Sequence, residues 1–475
     1  MTGSASFRRS SSTIVPEVVR LCLALMLLAV AGCTQLPQSD ATERRDGGAI
    51  TLPAMNTFSR SAGVQVTRSN TSIARDFMEL AFELESGRRL PVLSRFEGPV
   101  TVRVVGTVPP SLGPDLARLL ERLRTEAGIP IARVPASQEA GITIEVVKRS
   151  TLQRAVPQAA CFVAPRVSGW SEFVRTRRRP LGDWTTLETR DRMAVFLPGD
   201  VSPQEIRDCL HEELAQALGP VNDLYRLTDS VFNDDNFNTV LTPFDMIVLR
   251  AFYAPELHSG MTPDQVAALL PGVLERINPA GRYGATDAAG PTPDAWKAAI
   301  NAALSPQTGE VRRQSAAKQA VAIARAEGWV DNRMAFSLFI LGRASLGLDG
   351  PLALTAFLQA GEIYSARSDT RLHAAHVAVQ MAAFSLSAGQ PQAAIDLVNA
   401  HFGAAMAAEN AGLLATLLMI KAEALDAQGK TEEARVIRLD SLGWARYGFG
   451  SDQEVRRRLA EIAALSPARQ GERPT

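Results

Sequence analysis

The chain has 475 residues, and its Lys plus Arg and Asp plus Glu totals are both 50, so no net charge draws it to nucleic acid or to anionic lipid. That length suggests two or three domains. Residues 1–33 read as an export signal: Arg8, Arg9 and Arg20 precede an apolar run from Leu21 to Val30. The run is shorter than the roughly 20 apolar residues of a spanning helix.

The signal ends in Val30-Ala31-Gly32-Cys33. This tetrad resembles the lipobox of bacterial lipoproteins, in which the cysteine becomes the lipidated first residue of the mature chain. The resemblance implies lipidation at Cys33 and a cell-envelope protein held to the membrane by that lipid and facing the periplasm. Thr34 rather than Asp follows the cysteine, which by the same resemblance favours the outer membrane. Residues 34–64 mix polar residues, Gly and Pro without periodicity and are expected to be a flexible tether. Cys22 leaves with the signal and Cys33 takes lipid, so Cys161 and Cys209 remain as an even pair in an oxidising compartment. They are expected to form a disulfide, the alternative being two buried thiols.

Residues 65–261 alternate strand and helix patterns. Strands are predicted at Pro99–Gly106, Ile142–Val147, Cys161–Val163 and Met193–Leu197, and a helix where Leu116, Leu119, Leu120 and Leu123 recur after Pro114. The order is that of an α+β layer arrangement. The best-bounded helix starts at Ser202-Pro203-Gln204-Glu205, with an N-cap, a first-turn proline and a capping-box glutamate. It ends at Gly219-Pro220, where a left-handed glycine is expected. Ile206, Leu210, Leu214, Ala217 and Leu218 make its apolar arc, Glu213 lies at the arc's edge, Glu212 and Gln216 lie on one flank and His211 on the other.

His211-Glu212 begins a zinc-peptidase His-Glu-x-x-His motif, but Ala215 occupies the second ligand position and that register fails. One residue along, Glu212 to Asn222 resembles the long metzincin motif His-Glu-x-x-His-x-x-Gly-x-x-His. In that register the general-base glutamate is Glu213 and the turning glycine is Gly219. The three ligand histidines are replaced by Glu212, Gln216 and Asn222. Phe232 stands at the Met-turn, and Leu241 to Tyr253 resembles the metzincin closing helix. The Cys-x-His-Glu-Glu-x-x-Gln-x-x-Gly helix from Cys209 to Gly219 is also similar to an uncharacterised proteobacterial lipoprotein family, a domain of unknown function. The resemblance implies a metzincin-like (zincin) domain without zinc, a pseudopeptidase with no cofactor. Its binding residues would be Glu212, Gln216, Asn222 and Asp223, with Gln216 and Asn222 hydrogen-bonding the two glutamates in place of a metal.

Thr262-Pro263-Asp264-Gln265 opens a helical connector over residues 262–304. Residues 305–468 are alanine-rich and helical, with Gly350, Gly389 and Gly429 spaced by 39 and 40 residues. Ala394 and Ala434 follow their glycines by five positions. This resembles tetratricopeptide-type repeats, and an all-α protein-binding domain that folds by itself is expected there. Asp229, Asn233, Asp234, Asp235, Asn236 and Asn238 do not fit a calcium loop and read as a solvated turn. His373 and His376 read as surface or groove residues.

The function expected from these features is a periplasm-facing lipoprotein that binds a protein or peptide without catalysis. Two other readings stand beside it: a divergent metal-dependent peptidase with Glu213 as its base, and a structural envelope scaffold acting through the repeats. No nucleic-acid partner is expected.

Overall fold

The computed structural model describes residues 52–58, 66, 68–157, 159–179, 182–286 and 289–467. The signal segment, Cys33 and most of the tether lie outside them. The protein is mixed α+β: a five-stranded sheet, with sixteen α-helices among the described residues and a C-terminal region that is almost entirely helical.

The sheet order is β2-β1-β3-β5-β4, with β1 Val100–Gly106, β2 Ile131–Arg133, β3 Ile142–Val147, β4 Phe162–Pro165 and β5 Met193–Pro198. All neighbours run parallel except β4, which pairs antiparallel with β5 at one edge. Every residue of β5 is buried, as a central strand covered on both faces requires. Met193, Val195 and Leu197 face one core while Ala194 and Phe196 face another. The first core is built by α1 (Asn70–Phe82), α2 (Leu112–Thr125), α5 (Pro203–Leu218), α6 (Pro243–Phe252) and α7 (Pro263–Ile277). The second is smaller. Phe162, Trp170, Phe173 and Phe196 stack there under α3 (Arg149–Ala155) and α4 (Trp170–Thr176). The three-residue β2 and the short helices α3 and α4 carry too little periodicity to be read from the sequence. A disulfide joins Cys161, just before β4, to Cys209 in α5.

The helical region comprises α8 (Asp294–Leu304), α9 (Glu310–Ala326), α10 (Asn332–Ser345), α11 (Gly350–Ser365), α12 (Arg371–Ser387), α13 (Pro391–Ala407), α14 (Ala411–Ala427), α15 (Thr431–Gly448) and α16 (Asp452–Ala463). Most pack chiefly on their sequence neighbours, and both α12 and α16 also meet α14. Gly389 and Gly429 hold φ of 70° and 76° in the turns after α12 and α14, a region open to glycine at little steric cost. Gly350 is different: it opens α11 after an Asp349 cap, so its spacing does not mark the same turn.

The expected connector divides between the two regions. Val266, Leu270, Val273 and Leu274 of α7 belong to the sheet's core, whereas Trp296 and Ile300 of α8 belong to the helical one. The described residues from Leu52 onward form one compact unit. Phe58, Tyr225 and Phe237, all outside the helical region, are buried in the helical core. Residues 52–58, expected to be free tether, are docked instead: Phe58 packs on Trp444 at 4.7 Å, and the Asn56 N–H donates to Gly443 O at 3.0 Å.

A fragment starting at residue 305 therefore lacks Trp296 and the Phe237 loop, and it is expected to lose the cooperative melting of the whole chain. Phe237→Ala in the whole chain should cost about 3–5 kcal/mol. Urea denaturation followed by circular dichroism measures both. The covalent link closes a segment of 48 residues, and reducing it should lower stability by about 2–4 kcal/mol on the same assay.

Candidate functional site

Helix α5 is fixed at both ends. Ser202 Oγ accepts from the Glu205 N–H at 3.1 Å, while the Glu205 carboxylate pairs with Arg149 rather than closing a capping box. At the other end Gly219 is not left-handed: its φ is −166°. A side chain there would meet the Phe252 ring at 2.8 Å, so close packing on α6 is what demands glycine. The C-terminal carbonyls of α5 are taken by Arg190, which is buried and donates to Gln216 O and Gly219 O, and by Tyr253 Oη on Leu218 O at 3.0 Å. Burial pushes the Arg190 guanidinium down to about 10, so it stays charged at neutral pH, where the helix dipole favours it.

The polar side of α5 is also covered, because the helical region packs on it. Arg207 pairs with Glu409, and Gln204 exchanges hydrogen bonds with Asn410 and with the Gly412 N–H. His211 is buried, and its Nδ1 accepts from the Leu241 N–H at 3.1 Å. Burial holds its imidazole well below the usual range, so it is neutral.

Glu212, Glu213 and Asp223 come together, joined by Glu85, which the sequence did not single out, and by Asp234, which it placed in a polar turn rather than at this site. Glu85 and Asp234 are exposed, Glu212 is half-buried, and Glu213 and Asp223 are buried. Burial and the neighbouring Glu85 and Asp234 push Glu212 up to about 7. Burial lifts Glu213 and Asp223 well above the carboxylate range, with Glu212 adding to both. Asp234 keeps an exposed face, but the chain packed around its carboxyl takes solvent from that group and, with Glu85 adding to the effect, lifts it to about 6. Among the described residues Glu213 Oε2 and Asp223 Oδ1 have no hydrogen-bond partner. The backbone N–H of Val163 in the edge strand β4 is the donor facing Glu213.

The two amides do not serve these glutamates. Asn222 Nδ2 donates to Glu79 O at 3.2 Å and its Oδ1 accepts from the Asp223 N–H. Gln216 makes no hydrogen bond to Glu212 or Glu213 among the described residues. Zinc does not fit this set: an amide oxygen is a poor zinc donor, and Asn222 is already engaged with backbone. Among the described residues no three His, Cys, Asp or Glu side chains are grouped so as to hold a metal ion.

The polar run from Asp229 to Asn238 is a solvated turn only in part: Asp234 and Asn236 are exposed, while the rest of the segment packs inward. Ser230 Oγ and the Val231 N–H bond Asp245 of α6, and Phe232 is fully buried in the sheet's core. Asn233 and Asp235 are buried, with Asp235 accepting from the Phe237 N–H and facing His373 Nε2 at 3.1 Å. His373 and His376 are packed against the Phe237 ring at 4.7 and 4.5 Å, not on the surface. At the segment's start, Arg226 reaches back to Asp76 and Glu79 of α1, where Arg68 and Arg75 also meet Asp76.

The part of the chain that carries this site matches a family described as "Protein of unknown function (DUF2927)". Residues 70–272 are a DUF2927 domain. It spans the whole sheet, α1 through α6 and most of α7, and so reaches past the expected boundary at residue 261. No curated protein and no solved structure matches the chain. Within the DUF2927 domain the sequence could single out Glu212, Glu213 and Asp223 because they lie on or just after one helix. Glu85 and Asp234 come from distant turns and carry no local signal.

The folded-state value of Glu212 lies above that of an unfolded glutamate, so the folded chain keeps a proton that the unfolded chain releases. The associated stability is present at acidic pH and is lost as pH rises through about 7. Glu212→Gln should flatten that loss and raise stability at pH 8 by on the order of 1–3 kcal/mol. Glu213→Gln, which mimics the protonated acid, should be neutral or stabilising at the same pH. Thermal melts of both variants from pH 5 to pH 8 check the sign.

Proposed function

We propose that this chain is a lipid-anchored, periplasm-facing binding protein whose metzincin-like DUF2927 domain holds a polypeptide without cutting it, while tetratricopeptide-like helices add a protein-binding surface. The observation that carries this reading is the helix α5. It has Glu213 and Gly219 at the motif positions, beside the edge strand β4, yet its ligand positions hold Glu212, Gln216 and Asn222. β4 pairs with β5 alone, which leaves one edge without a strand neighbour, and an extended peptide can add there through backbone hydrogen bonds. The cluster of Glu85, Glu212, Glu213, Asp223 and Asp234 beside it favours a segment that brings a positive charge. The turns at Gly389 and Gly429 support the repeat reading of the helices. The lipid anchor rests on the sequence at Cys33, and the outer-membrane address on Thr34.

The purified chain is expected to carry substoichiometric zinc by elemental analysis and to leave peptide substrates intact, with no difference between wild type and Glu213→Gln. One zinc per chain, together with chelator-sensitive hydrolysis lost in Glu213→Gln, would instead establish the peptidase reading. Cys33→Ser should abolish lipid labelling and membrane retention. Peptide arrays scored with wild type and with a Glu212→Gln, Asp234→Asn double variant should show a preference for Lys- or Arg-bearing segments that the variant loses.

A further inference from the structure

A dense patch of one sign of charge lies on the small layer formed by α3 and α4. Arg154 stands in the last turn of α3, Arg175 in that of α4, and Arg177, Arg178 and Arg179 follow directly; all five are exposed. Arg177 Nη1 donates to Ala155 O at 2.7 Å, which brings the two helix ends together. Among the described residues none of the five pairs with a carboxylate. Arg154 reaches the Thr151 hydroxyl at 3.3 Å, and Glu172, the acid of α4, is turned toward Arg192 and the Ser168 N–H. A helix C-terminus favours cations only within its last turn, which accounts for Arg154 and Arg175 but not for Arg178 and Arg179. Beside them Val174 is 45% exposed.

This layer covers the small core on the face of the sheet that holds Ala194 and Phe196. The helical region packs instead on α2 and α5, which cover the opposite face. The patch and the helical region therefore lie on opposite sides of the sheet. Guanidinium groups bind phosphate oxygens through paired N–H donors. Surface groups of several basic residues are what anionic lipid headgroups attract, at about fivefold in affinity for each. The chain as a whole is neutral, so the attraction is local to this face. An apolar side chain exposed among the arginines suits the boundary between headgroups and acyl chains better than it suits an acidic protein surface.

We propose that the α3–α4 face rests on a membrane surface of anionic phospholipid, with the five arginines on its phosphates and Val174 at the acyl boundary, which turns the helical region away from the bilayer. The choice of a membrane rests on the lipid-anchor reading, but the test does without the anchor. It uses the chain from Thr34 on, which keeps the whole compact unit from Leu52 onward. Vesicles of phosphatidylethanolamine and phosphatidylglycerol should sediment this chain, vesicles of phosphatidylcholine alone should not, and the binding should weaken as salt rises. The combined variant Arg175→Gln, Arg178→Gln, Arg179→Gln should bind about a hundredfold more weakly, with its melting temperature unchanged. Val174→Gln should bind several-fold more weakly. Arg435→Gln, Arg457→Gln, Arg458→Gln together remove the same charge from exposed arginines that are already paired, and should bind as the unaltered chain does. The proposal is overturned if anionic vesicles do not sediment the chain, if neutral ones do so equally, or if the two triple variants lose binding alike. Polyglutamate that binds the chain more tightly than the vesicles do would also overturn it and assign the patch to an acidic protein. The anchor reading fails separately, through absence of lipid labelling at Cys33 in the full chain.

Discussion

The segment from Asp223 to Leu241 is packed on both sides at once, and the two halves of the protein depend on it. Phe232 is buried in the core of the sheet, while Tyr225 and Phe237 are buried among the helices. Its polar atoms are closed off as it crosses: Asp245 holds the turn at Ser230 and Val231, and Asp235 meets His373. Buried backbone polar groups are costly unless satisfied, so a crossing of this kind needs the many short Asn, Asp and Ser side chains found there. That is why a run that reads as a solvated turn in the sequence is the bridge between two cores.

Electrostatics around that bridge are handled in opposite ways at its two ends. At its base, Asp76 is buried and surrounded by Arg68, Arg75 and Arg226. A buried charge paired and hydrogen-bonded in this way is tolerated. Elsewhere on the same segment Asp223 joins Glu85, Glu212, Glu213 and Asp234, and there burial, with the neighbouring carboxylates adding to it, raises the proton affinity of Glu212, Glu213 and Asp223 instead. Among the described residues arginines meet Asp76 and Glu409, and none pairs with Glu213. Clustered acids of raised proton affinity are an unfavourable arrangement for folding alone, and such perturbed groups concentrate where ligands are met. The same α5 that presents Glu212 and Glu213 is tied down by its disulfide, by Arg190 at its C-terminal carbonyls and by the Arg207–Glu409 pair.

The helical region gains from the same packing. Gln204 and Arg207 of α5 reach Asn410 and Glu409, and Tyr447 of α15 donates to Asp115 of α2 at 2.9 Å. Stacked helices normally bury their apolar faces against one another. Here part of that burial is supplied by the DUF2927 domain.

Local chemistry was legible in the sequence because it acts over a few residues. Alternation located β1, short apolar runs located β3 and β5, and the Ser202-Pro203 start and the Thr262 capping box were readable from adjacent side chains. The apolar arc of α5 followed from its period, as did the helical character beyond residue 305. What the sequence could not supply were partners far apart in the chain. Arg226 finds Asp76 across 150 residues, Arg207 finds Glu409 across 202, and His373 finds Asp235 across 138. Nothing local marked Glu85 and Asp234 as members of the acidic cluster, or Arg190 as the cap of α5. The amides of Gln216 and Asn222 looked like natural partners for Glu212 and Glu213 by spacing, but the fold turned Asn222 toward the backbone of Glu79. Period and capping are written in neighbouring residues, whereas the pairing of charges and the space left between packed elements exist only once the chain has closed on itself.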